Sequence, residues 1–218
     1  MRGMLCKDFY LMKEYRKIAL LIVIFSVVFC FQMEDGREAF IMGYATLLMS
    51  MAVTTVIAYD QENNGMAFLL SLPVSRTGYV REKYLFGLLA GGCGWLGGIV
   101  VTATAELLQG RNPLRTDFLG IVFAFLGFLF LCQSVMIPVQ LKFGEQKGRM
   151  IIILAMMVLM ILGIGGTSLL IESKIVTEEF VSWLLKSGLL PLIGAVLVLI
   201  LYGISYGCSV RILNKKEF

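Results

Sequence analysis

The sequence predicts an all-α integral membrane protein with six transmembrane helices, and three observations predict it. Of the 218 residues, 58% are hydrophobic and 16% charged, with a mean hydropathy of +0.85. A soluble chain of this length could not hide so much apolar surface. The apolar residues gather in six stretches without Asp, Glu, Lys or Arg, at about 18–33, 39–59, 84–105, 118–141, 150–171 and 187–210. None shows the ten-residue alternation of a barrel strand, and a helix satisfies its own backbone inside lipid. About 20 residues cross roughly 30 Å of hydrocarbon. Five stretches reach that length, and the first borrows from its flanks, with Arg16 and Lys17 snorkelling.

Residues 1–218 therefore read as a single transmembrane domain. Ahead of the first span, 4–17 reads as an amphipathic interfacial helix. Met4, Leu5, Phe9, Leu11, Met12 and Tyr15 share one arc, with Lys7, Lys13, Glu14 and Lys17 opposite, while Asp8 and Arg16 intrude on the apolar side. Such a helix lies at the headgroup level. The third span is rich in glycine, and Gly87-x3-Gly91 and Gly94-x3-Gly98 permit close helix approach. Packing within one chain is the favoured reading, with a contact to a second copy as the alternative. Pro138 is a candidate kink. Between the fifth and sixth spans, 172–186 predicts a short extracellular helix. Thr177 caps it, Glu178 and Glu179 suit its first turn, and Lys186 with Gly188 mark its end.

Basic residues are sided. The amino terminus, the 59–83 segment, the 142–149 loop and the tail hold 14 of the 19 lysines and arginines. The bias predicts a multi-pass cell-membrane protein with both termini cytoplasmic. The net charge of +4 thus speaks to topology, and no nucleic-acid partner is expected.

The chain has no histidine, and its five cysteines are scattered singly without a CxxC. They read as packing residues, and no metal or cofactor is expected in this chain. Ion-coupled carriers ordinarily place ionisable groups inside the membrane, and the uncharged stretches have none. No GxxxxGK[ST] phosphate loop occurs, so an enzyme is not expected. Energy for any transport must come from another subunit.

The 60–83 segment is the longest break on the predicted cytoplasmic side. Met66–Leu72 can form about two helical turns, with Phe68, Leu69 and Leu72 on one face. Gly65 and Pro73 bracket it, and Ser75 or Thr77 can cap the next helix, which enters the membrane through Arg81, Glu82 and Lys83. Such a surface helix either transmits force from a cytosolic partner or is an ordinary surface loop.

The Tyr59-Asp60 pair, the Ser71-Leu72-Pro73-Val74-Ser75-Arg76 string, Lys83-Tyr84, and Leu5-Cys6-Lys7-Asp8-Phe9 at the amino end resemble permease subunits of ABC-2-type exporters. The small size is similar to the permeases that export phenol-soluble modulins. The resemblance implies a cytoplasmic coupling helix between spans two and three. It also implies two copies of this chain paired with two cytosolic ABC ATPases, which bind the ATP and Mg. The residues assigned to ATPase contact are Asp60, Glu62, Met66, Phe68, Leu69, Ser71 and Arg76. The implied cargo is an amphipathic peptide, a phenol-soluble modulin or an antimicrobial peptide, with substrate-binding residues unassigned. Alternatives are another ABC-2 cargo (a lipid, drug or lantibiotic) or a membrane scaffold or sensor that docks a cytosolic partner.

Overall fold

Helices form along the chain wherever apolar residues run uninterrupted, and they stop at glycine and polar breaks. The computed structural model describes residues 2–32, 36–62, 65–71, 75–110, 116–172 and 189–216, and no strand occurs among them. Helix α1 (Arg2–Leu11) passes through a 3-10 turn (Met12–Tyr15) into α2 (Arg16–Gln32). The helix expected over 4–17 is thus divided, and the carboxylate of Asp8, expected as an intruder on a lipid-facing arc, is fully buried.

Helices α3 (Arg37–Ser50) and α4 (Ala52–Gln61) form one rod, loosened at Met51. The Met51 carbonyl accepts from the Thr54 hydroxyl at 2.7 Å and from the amides of Thr54 and Thr55 at 3.1 and 3.3 Å. A hydroxyl competing for a ladder carbonyl bends a helix in this way. The short helix α5 (Gly65–Ser71) follows. Helix α6 (Arg76–Leu108) has 33 residues and is capped by Ser75, whose Oγ accepts from the Gly78 amide at 3.1 Å. Its helical ladder therefore starts about two turns before the uncharged stretch does.

Helix α7 (Thr116–Glu172) is interrupted at Gly144, with φ 77° and ψ −167°. That conformation costs glycine nothing sterically and most residues a great deal. Pro138 lies inside the first arm without ending it. The chain then folds back, because Ile152 of the second arm is buried with Cys132 and Met136 of the first. Helix α8 (Leu189–Lys215) closes the described chain.

Among the described residues, four helical segments are long and apolar enough to cross a membrane: Arg37–Gln61, Arg76–Leu108, Phe118–Gly144 and Leu192–Lys215. They fall on the second, third, fourth and sixth predicted spans. Helix α2 covers the first at 17 residues. The second arm of α7 covers the fifth as backbone helix, with side chains described only to 158. Most of the short helix predicted over 172–186 lies outside the described residues.

The tightest packing is α3 on α6. A Cβ added at Gly94 would meet the Ala45 carbonyl oxygen at 2.6 Å, and one at Gly98 would meet Met42 Cα at 3.2 Å. Gly92 and Gly97 of the same helix face open space. The buried glycines thus serve contact within one chain. At the end of the bundle that carries α5, Val53, Ile57, Met66, Tyr79, Val80, Phe86, Ile137, Leu141 and Leu213 form one apolar core.

The glycine face makes a direct prediction. Gly94→Leu has no room before a backbone carbonyl and is expected to destabilise the fold by about 1–3 kcal/mol or more. Gly97→Ala, facing open space, is expected to be neutral or stabilising by up to about 1 kcal/mol. Unfolding of both variants in detergent, followed by helical circular dichroism, checks the contrast.

Candidate functional site

Helix α4 ends in Tyr59-Asp60, and Asp60 turns inward. Its Oδ2 accepts a hydrogen bond from the Tyr79 hydroxyl at 2.9 Å and lies 2.9 Å from Lys83 Nζ. Its Oδ1 is paired with the Lys7 amine. Lys83 is 0% exposed, and Asp8 Oδ2 stands 2.5 Å from its nitrogen. Glu82 Oε2 is 3.2 Å away, in ion-pair range but without the alignment of a hydrogen bond. The ammonium also sits 5.0 Å from the centre of the Tyr79 ring, a cation–π approach. One amine thereby joins α1, α4 and α6.

Among the described residues no group of carboxylates, cysteines or histidines is placed to hold a metal ion; these carboxylates converge on an ammonium. Buried ion pairs give little net stability because desolvation opposes the Coulomb gain. Here their effect is positional: with Lys83 in place, α1, α4 and α6 have one mutual arrangement that leaves no carboxylate facing hydrocarbon alone.

Helix α5 hangs between two such fixed points. On its amino side is Asp60, whose carbonyl oxygen lies 3.0 Å from where a Cβ at Gly65 would stand. On its carboxyl side is Arg76, whose Nη1 donates to the carbonyls of Leu213 and Asn214 at 2.8 Å and of Lys216 at 3.2 Å. Those are the orphan carbonyls of a helix end, and a cation there also suits the helix dipole. Between these points Met66 is buried, and Leu69 and Leu70 pack half-buried against the core.

The seven residues predicted to touch an ATPase therefore divide. Asp60, Met66 and Arg76 are committed to contacts within the chain. Glu62 and Ser71 are exposed, with the Ser71 hydroxyl donating to the Phe68 carbonyl at 2.7 Å. Phe68 is 68% exposed, so the outward apolar anchor narrows to that ring with Leu69 at its edge. Leu72, Pro73 and Val74, also named in the sequence reading, lie outside the described residues.

Helix α8 is fastened to α6 by hydroxyls. Tyr84 Oη is 2.6 Å from Ser205 Oγ and 2.9 Å from Ser209 Oγ, and Ser205 donates to the Ser134 carbonyl of α7 at 2.5 Å. At the opposite end of the bundle, Arg37 Nη2 meets Glu106 Oε1 at 2.5 Å and Gln109 Oε1 at 3.1 Å, with Arg37 and Glu106 both buried. Sequence reasoning assigned no role to Tyr79, Arg37 or Glu106, and read Asp8 and Glu82 only as parts of the amino-terminal helix and of the entry to the third span. A signal did exist: the separate fragments Lys7-Asp8, Tyr59-Asp60 and Lys83-Tyr84 meet at one point in space.

These features define a polytopic helical membrane protein whose surface helix is braced by a buried ion cluster. The model of the ABC-2 family transporter protein matches residues 3–214, and the chain belongs to that family. Membership makes it a membrane component that works with a separate ATPase subunit. No curated protein and no solved structure gives a significant match to the chain.

The cluster predicts an asymmetry between its two amines. Lys83→Met leaves the buried Asp8 and Asp60 with Lys7 alone and takes from Glu82 its ion-pair partner, and is expected to cost about 3–5 kcal/mol. Lys7, whose side chain is 36% exposed, is solvent-screened, and Lys7→Gln is expected to cost no more than about 1 kcal/mol. Unfolding of the two purified variants side by side measures the difference.

Proposed function

We propose that this chain is the membrane-spanning permease subunit of an ATP-driven exporter, acting as two copies with two cytosolic ATPases. Six spans, both termini in the cytoplasm and α5 at the cytoplasmic surface make up the proposed topology. The observation that carries the reading is α5 itself. It is two turns long, anchored inward by Met66, fixed at either side by Asp60 and Arg76, and presents Phe68 outward.

ATP and Mg bind the partner, and closure of the ATPases pushes on α5. Because Asp60 and Lys83 connect the ends of α4 and α6 to α1, displacement of α5 reaches three helices together. The chain itself hydrolyses no ATP, a reading supported by the absence of a phosphate-cradling loop. The proposed cargo is an amphipathic peptide of the phenol-soluble modulin kind. Support comes from the resemblance of the short chain and its SLPVSR string, and from spans whose uncharged stretches suit apolar groups better than ions.

Basic-residue asymmetry sets the topology expected in cells. On a background cleared of native cysteines, Glu179→Cys should react with an impermeant thiol reagent in intact cells and Glu145→Cys should not. The reverse pattern would invert the proposed orientation.

The coupling role is tested at Phe68. As an interface anchor, Phe68→Asp is expected to cost about 2–4 kcal/mol of binding, roughly a thirtyfold or greater loss of ATPase co-purification. The amount of folded permease in the membrane should not change. Peptide-stimulated ATP turnover of the reconstituted complex should fall with it. An ATPase that stays bound with unchanged stimulated turnover would show that α5 is not the coupling element.

A further inference from the structure

A second charged feature lies away from the ion cluster, where the first arm of α7 ends beside the end of α8. Lys142, Arg211, Lys215 and Lys216 line an open pocket of about 470 Å³ whose apolar wall is Cys208 and Ile212. Arg211 and Lys215 are four residues apart on one helix face, a spacing at which like charges repel. Among the described residues no carboxylate pairs with Lys142, Arg211 or Lys215. Lys142 lies 5.1 Å over the Phe143 ring, and the Lys216 amine donates to the Leu141 carbonyl at 3.2 Å. Three cations thus face this cavity with no paired carboxylate among the described residues.

The pocket continues into an apolar track. Leu197, Leu201, Ile204, Cys208, Arg211 and Lys215 follow one another at alternating spacings of four and three, so they form a single stripe along α8. All six are exposed, the three aliphatic residues at 54%, 41% and 57%. The stripe runs from hydrocarbon-compatible side chains to cations at the helix end. A soluble phosphate would use only the cationic end of this track, whereas a phospholipid would use all of it.

We propose that this pocket binds the phosphodiester headgroup of an anionic phospholipid whose acyl chains lie along Leu197, Leu201 and Ile204. The chemistry is that of basic pockets between transmembrane helices. The pocket is lined by no residue of α5 or of the ion cluster, although the carbonyl of its Lys216 accepts from Arg76.

Native mass spectrometry of the full-length chain in detergent tests it, with phosphatidylglycerol and phosphatidylcholine titrated in parallel. Phosphatidylglycerol should be retained at least about tenfold better. Each removed charge is expected to lower retention roughly fivefold, so R211Q with K215Q together should lower it about 25-fold. K147Q removes a charge that does not line the pocket and should leave retention unchanged. If the double variant is not recovered folded, K142Q alone carries the test through its fivefold effect. Equal retention of the two lipids, or an equal loss in K147Q, would overturn the site. So would displacement of phosphatidylglycerol by millimolar inorganic phosphate, which would mark a soluble-anion site instead.

Discussion

An ammonium group held at 0% exposure among helices that are otherwise apolar sets the terms for much of this molecule. Moving such a charge out of water costs several kcal/mol, and only close carboxylates with good geometry offset it. Lys83 obtains them from α1 and α4, at 2.5 and 2.9 Å, with Glu82 of its own helix 3.2 Å away but unaligned. Apolar contacts would tolerate a helix sliding by a fraction of a turn. The ion cluster would not, because a shift that lengthens one pair leaves a carboxylate uncompensated. The position of α5 derives from this constraint, since the chain reaches it directly from Asp60 and leaves it toward Tyr79 and Lys83.

Helix α6 is the axis on which these constraints are arranged. Its first turns carry Arg76, Tyr79, Glu82 and Lys83, its middle carries the glycines that admit α3, and its far end carries Glu106 for Arg37. Ion pairs at the two ends and close backbone approach between them make the α3–α4 rod and α6 one unit. Helix α8 is joined to that unit chiefly through Tyr84 and Arg76 and leaves a long apolar face uncovered. Stiffness is thus concentrated on one side of the bundle, next to the surface helix.

Much of this was legible in the residues. Gly65 marked the start of α5, Ser75 marked the cap of α6, and the uncharged stretches located the long helices. The buried glycine face was legible too, because glycine at three- and four-residue spacing has few uses other than close approach. The reversal falls at Gly144, inside the loop expected over 142–149, but that glycine was not singled out as its hinge, because a left-handed glycine has no side chain to reveal it. Asp8 was misread for a different reason. A helical wheel shows which face a residue occupies but not what will cover that face, and the covering amine is 75 positions away. Lys83 likewise looks like any basic residue at a membrane boundary until the carboxylates from two other helices are placed around it.

That separation of 75 positions also bears on the order in which the protein can be made. At synthesis rates of about 5–20 residues per second, Asp8 exists for roughly 4–15 s before its amine is added to the chain. During that interval its only counter-charge in the cluster is the partly exposed Lys7 amine, 3.4 Å from Asp8 Oδ1, so burial of α1 against apolar helices is disfavoured while the first two spans enter the bilayer. It can settle only when α6 arrives. Helix α1 is therefore synthesised before α6 yet finds its place only after it, and the same arrival fixes the path of the chain on either side of α5.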